Sequence, residues 1–182
     1  NPKTIARSGG KAPGIAEADI PKDNSGEPLT HLFTLDLDEI PELQEARSGA
    51  RALAAFCPEP NSGDRLDELV LVPISREAVD RLPNNGDEND EDDDAGEPIC
   101  IVPVDVPLAV FARGEREGKA REIRKIIFNA AGHVLGEPFW IQEEDEGGGN
   151  FIMQINERLC DVNLGDNGSL YVFDWGNVFQ CY

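Results

Sequence analysis

The residues of this chain best suited to chemistry lie between positions 131 and 146. His133, one of only two histidines, is followed closely by Gln142, Glu143, Glu144 and Asp145. An imidazole beside carboxylates is the material of general acid–base catalysis, and it is also a ligand set for a divalent metal. The competing reading is structural. A histidine directly after a glycine that ends a helix caps that helix or bonds a backbone carbonyl. The second histidine, His31, lies far upstream beside an apolar strand, so any metal set would be one His plus carboxylates assembled by the fold. The structural reading is preferred, and no catalytic residue, metal ligand or cofactor is assigned.

Other chemical patterns are weaker. No Gly-x-Ser-x-Gly elbow occurs, and nothing pairs a Cys with a His at a useful spacing. Gly147, Gly148 and Gly149 have the composition of a phosphate loop but lack the following Lys and Ser/Thr, and acids flank them. They read as a flexible hairpin connection. Asp161, Asn163, Asp166 and Asn167 loosely suggest calcium, without the bidentate Glu that closes such a loop. Asp166-Asn167-Gly168 between apolar runs is the better signature of a turn, since Asn and Gly tolerate positive φ. Cys57, Cys100, Cys160 and Cys181 are too scattered for a structural zinc site. They read as reduced, mostly buried thiols, with a disulfide through Cys181 as the alternative.

The charge is the strongest compositional signal. The 182 residues carry a formal net charge of -20. Eight carboxylates fall in one run: Asp87, Glu88, Asp90, Glu91, Asp92, Asp93, Asp94 and Glu97. Without them the charge is still -12, so acidity belongs to the whole chain. Nucleic acid and acidic membrane surfaces are disfavoured as partners, because both need clustered Lys and Arg. A basic protein is favoured, since opposite fields steer encounter. Solubility or a salty or high-GC host is the plain alternative, and 11 Arg against 5 Lys suits such a host. The acidic run and Trp140, as an aromatic anchor, are the candidate partner-binding residues. The run also reads as a solvated insertion or a weak divalent-ion cluster.

These residues must be positioned by a small set of elements. Residues 1–28 form an irregular entry with tight turns at Gly9-Gly10 and Ser25-Gly26. Phe33, Leu35 and Leu37 alternate with polar residues, predicting a half-buried strand, and 50–56 and 66–74 predict two more. Ser75 caps a short helix over 75–82, which Pro83 stops. Residues 84–98 lack apolar periodicity and predict a mobile acidic insertion. Sheet resumes over 99–106. A helix spans 115–131, with Ile123, Ile126, Ile127 and Ala130 on one stripe, in the chain's one basic region. FIMQIN and SLYVF predict the final strands. Strand clusters with two helices argue for an α+β domain with a mostly antiparallel sheet. Gly10-x-x-Pro13, a strand and Gly49 also parallel Gly136-x-Pro138, a strand and Gly168, so the sheet is a candidate for internal duplication.

AGHVLGEPFWIQEEDE, NFIMQIN and GDNGSLYVFDW, with the front segments RSGGKAPG and GEPLTHLFTLDLDEIPEL, resemble the YwqG-like family of largely uncharacterised bacterial proteins. The motif positions that carry the resemblance are Gly9, Gly10, Pro13, Gly132, His133, Gln142, Gln154, Asp166, Gly168 and Gln180. The resemblance implies a single domain over 1–182 that lacks an N-terminal segment, and a setting beside secreted-toxin genes. The expectation is a cytoplasmic, non-catalytic immunity protein that covers a basic toxin effector. Alternatives are a hydrolase or metal-dependent enzyme centred on His133, and a scaffold module.

Overall fold

A computed structural model describes residues 5–60, 65, 68–81, 96–104, 106, 118–143, 145, 148–159, 162–165 and 167–181, and among these residues are nine strands and three short α-helices. The chain divides into two compact units. One comprises Asn1–Pro60 and Glu68–Ile101, the other Asn61–Asp67 and Val102–Tyr182. No helix among the described residues is long and apolar enough to cross a membrane.

The first unit is a five-stranded antiparallel sheet. Its strands are β1 (Arg7–Ser8), β2 (Thr30–Asp36), β3 (Ala52–Cys57), β4 (Val70–Ile74) and β5 (Glu97–Pro98), in the order β4-β3-β2-β1-β5. The apolar alternation around Phe33 becomes β2, and every residue of the apolar run ALAAFC in β3 is buried. Ala52, Ala54, Phe56 and Ile74 face a core completed by Ile5, Leu29 and Val79, with Ile15 and Ile20 of the entry segment packed against it. Helix α2 (Arg76–Asp80) begins where expected, with the Ser75 hydroxyl accepting from the Ala78 amide at 3.2 Å.

The second unit is a four-stranded antiparallel sheet, β6 (Gly132–Val134), β7 (Phe151–Asn156), β8 (Ser169–Phe173) and β9 (Gly176–Gln180), in chain order. Helix α3 (Gly118–Asn129) precedes it.

One pattern runs through both sheets. Arg7, Thr34, Ala54 and Val72 lie abreast on β1 to β4, as His133, Gln154, Tyr171 and Val178 do on β6 to β9. Each second strand carries a bulge just ahead of that row, between His31 and Phe33 in β2 and between Phe151 and Met153 in β7. After each first strand the backbone turns through two left-handed residues, Gly9-Gly10 and Leu135-Gly136. The Gly9 amide donates to Leu32 O at 2.7 Å, and the Leu135 amide to Ile152 O at 2.8 Å. At the far end Asp36 Oδ1 accepts from the Asp38 amide and Asn156 Oδ1 from the Arg158 amide.

Several expectations are corrected. Among the described residues there are two sheets, not one, and three α-helices, not two. The additional helix, α1 (Pro41–Ala46), is one and a half turns long, too short to show periodicity, and its signal was Pro41 at the first helical position. Residues 99–104 form no strand. Prolines 98 and 103 remove ladder donors, Ile99 contributes one bond to Ala6 O, and Val102 and Val104 are exposed. The strand sits instead at Glu97–Pro98, inside the stretch read as an insertion. Ile123 is buried as the helical stripe requires, but Ile126 is 58% exposed.

Candidate functional site

An open cavity of about 220 Å³ lies in the second unit, on the sheet face that carries Gln154 and Ser169. Its cover is the connection between β6 and β7. Strand alternation puts Gln154, Ser169, Tyr171 and Gln180 on this face, and their side chains bond the cover's backbone.

Gln154 Oε1 accepts from the Phe139 amide at 2.8 Å, and its Nε2 donates to Phe139 O and to Ser169 Oγ. The Tyr171 hydroxyl donates to Phe139 O at 2.8 Å and accepts from the Ile141 amide at 3.0 Å. Gln180 Oε1 accepts from the Ile141 and Gln142 amides, while its Nε2 donates to Glu143 O at 2.7 Å. Gln142 Nε2 donates to Cys181 O at 2.6 Å. An irregular segment has no ladder partners of its own, so these amides and the phenol supply them. Trp140 completes the cover, half-buried with its ring 4.5 Å from Tyr171 and 6.1 Å from Phe173.

His133 serves the same cover. Its Nε2 donates to Glu137 O at 3.1 Å, and its ring packs 5.4 Å from both Phe139 and Phe151. Burial pushes the imidazole below its ordinary value, partly offset by the Glu137 bond. His31 does the corresponding work in the first unit. Its Nδ1 donates to Gly10 O at 3.0 Å and to Gly9 O at 3.2 Å, its Nε2 accepts from Thr34 Oγ1 at 2.8 Å, and burial again lowers it. Each histidine clamps the loop that leaves the first strand of its sheet.

Both imidazoles are therefore neutral in the fold near pH 7. Below an ordinary value near 6.5 the unfolded chain takes up protons that the fold resists, so this stability is present above that pH and lost as pH falls through the lowered folded values. Stability from urea titration should be smaller at about pH 5 than at about pH 7.5, and the difference should shrink in His133→Asn. An unchanged difference would show that the ring's burial contributes nothing. Asp38, held low by its bond to Arg76, acts only in a more acid window.

Of the residues singled out from sequence, Gly132, His133, Trp140, Gln154 and Gly168 line the cavity, and Gln142 and Gln180 hold its cover. Gly9, Gly10 and Pro13 belong to the first unit. Glu97 is exposed on β5. Asp87, Glu88, Asp90, Glu91, Asp92, Asp93, Asp94 and Asp166 lie outside the described residues, as do Glu144 and Cys160; Cys57 is a buried thiol that donates to Pro58 O, Cys100 is exposed and Cys181 half-buried. Gln142 and Glu143, read as partners of His133, are bonded to Cys181 and Gln180. Among the described residues no three His, Cys, Asp or Glu side chains converge as a metal site.

Sequence reasoning missed Tyr171 and Ser169, which read as ordinary strand residues, and the adjacent Asn156, Glu157 and Arg158 at the cavity's edge. Their signal was polarity in the inward phase of an alternating strand, Gln154 and Asn156 in FIMQIN. Gly148 and Gly149, read as a flexible connection, lie where a Cβ would meet Trp175, and the Trp175 amide donates to Gly148 O at 2.7 Å. Compared with protein-family models, with curated proteins and with solved structures, the chain shows no match.

Proposed function

We propose that the chain is a non-catalytic, acidic protein-binding module, most concretely a cytoplasmic immunity protein of YwqG-like type that neutralises a basic bacterial effector. The two sheets descend, in this reading, from one duplicated four-stranded unit, for which the shared register, bulge and left-handed turn argue. The observation that carries the partner class is the charge. The first unit holds 21 carboxylates against eight Lys and Arg, and the second holds 15 against eight, so both present the same sign to an approaching protein.

Two further features support binding over catalysis. His133 and the amides around it are occupied in holding backbone. Trp175, in the two-residue turn between β8 and β9, is 84% exposed, although neither it nor Asp174 has a positive φ that would restrict the residue there. An exposed indole forgoes a large apolar burial in the fold and is the side chain most often found as an interface anchor.

The test is kinetic. Partners are captured from lysate at low and high salt, and association is measured on the most basic hit. Raising salt from about 0.05 to 0.5 M should slow association about tenfold or more while dissociation changes less. Converting Asp90, Glu91, Asp92, Asp93 and Asp94 to Asn or Gln should slow association without unfolding the protein. An acidic partner, or an association rate indifferent to salt, would leave the charge as solubility alone.

A further inference from the structure

The corner of the sheet beside the cavity has a counterpart by register in the first unit, and the difference between the two indicates what the cavity takes. By register Asp36 matches Asn156 and Ala52 matches Ser169, which places Asp38 against Arg158. In the first unit these positions are self-contained. Arg51 bridges Asp36 and Asp38, Arg76 donates to both oxygens of Asp38, and Ala52 is packed in the apolar core with Ile74 and Val79. In the second unit the matching corner opens into the cavity. Its rim holds Glu157 and Arg158, both exposed and consecutive in the chain. Among the described residues neither belongs to a salt bridge. The one bond of the Arg158 guanidinium is from Nη1 to Asn129 O, at a long 3.3 Å.

We propose that this cavity binds a free α-amino acid with an apolar side chain. The guanidinium of Arg158 takes the ligand's carboxylate, for which its planar fork is suited. The carboxylate of Glu157 takes the ammonium, and Phe139 and Trp140 receive the side chain. The volume, below the ~300–1,000 Å³ of drug-sized sites, suits a ligand of this size. Charge selects the same class. A net charge of -20 repels a simple anion, and a simple cation leaves Arg158 without a partner, whereas a zwitterion has no net charge to be repelled and satisfies both groups. This inference is independent of the basic partner.

The experiment uses the full chain with Trp175→Phe, which leaves Trp140 as the only indole. L-Leucine is titrated while Trp140 fluorescence is followed, and calorimetry repeats the titration on the unaltered chain. Saturable binding is expected. N-acetyl-L-leucine, which lacks the ammonium, and L-leucinamide, which lacks the carboxylate, should each bind at least tenfold more weakly. Arg158→Gln and Glu157→Gln, checked for folding by circular dichroism, should lose at least tenfold in affinity for L-leucine. No saturable binding of L-leucine would overturn the proposal, as would equal binding of either blocked ligand. Unchanged affinity in either variant would overturn the assigned roles.

Discussion

Gly168→Ala is expected to destabilise the second unit by about 3 kcal/mol, at the upper end of ordinary overpacking effects. The backbone conformation at Gly168 is one any residue adopts, so the cost comes from space. A Cβ built there would run into the carbonyl oxygen of Leu164 and stand 2.9 Å from the Phe179 ring. Leu164 is fully buried and the blocking oxygen is backbone, so it cannot rotate away as the exposed Phe179 ring can. Either the connection from β7 to β8 lifts off, or β8 shifts against its neighbours, and Ser169 moves with it at the floor of the cavity. Gly176→Ala is the control: no atom lies within 4 Å of its Cβ and its φ is ordinary, so it should be near neutral. Thermal unfolding by circular dichroism distinguishes them. At roughly 2–4 °C per kcal/mol for a chain of this size, Gly168→Ala should lower Tm by roughly 6–12 °C. Equal Tm values for the two variants would mean that the close approach at Gly168 is readily relieved.

The glycine was legible in the sequence as a turn residue, but its reason was not. Asn167 carries the positive φ, while Gly168 is there because another segment's backbone lies against it. That distinction depends on where Leu164 folds, which no local pattern encodes. The same limit separates what the sequence showed of this fold from what it did not. Alternation around Phe33 and in FIMQIN marked β2 and β7 because one face of each meets a core. The run ICIVPVDV looked equally apolar, yet prolines at 98 and 103 deny it a ladder, and its valines at 102 and 104 stay in solvent. At the site, Gly132, His133, Gln154 and Gln180 stood out by type and spacing. For His133 the preferred reading was a cap or a bond to a backbone carbonyl, with an imidazole among carboxylates as the alternative, and the ring bonds Glu137 O and packs on two phenyl rings. Tyr171 gave no warning. A tyrosine in a strand reads as core, and only the cover above it turns its hydroxyl into a double partner for Phe139 and Ile141.

Gln180→Ala should cost about 2–3 kcal/mol and loosen the cover of the cavity without disturbing the sheet. Gln180 is buried, and its amide accepts from two backbone N–H groups and donates to one carbonyl. Removing it leaves the Gln142 amide and Glu143 O without that partner, while the Ile141 amide keeps the Tyr171 hydroxyl. An unsatisfied group at such a site costs about 1–3 kcal/mol, and the half-buried cover lets water recover part of the total. Gln180→Leu tests shape against bonding, since it keeps the volume and loses the partners, and it should be no better than Ala. The first unit shows why the position tolerates only one chemistry in each place. Its register equivalent is Ile74, also buried, which lies under the apolar side chains of the entry segment instead of under backbone. Hydrogen exchange gives the direct reading: the amides of Ile141 and Gln142 should exchange at least tenfold faster in Gln180→Ala, while those of β7 and β8 remain protected. Unchanged protection at 141 and 142 would mean that packing of Trp140 on Tyr171 and Phe173 holds the cover by itself.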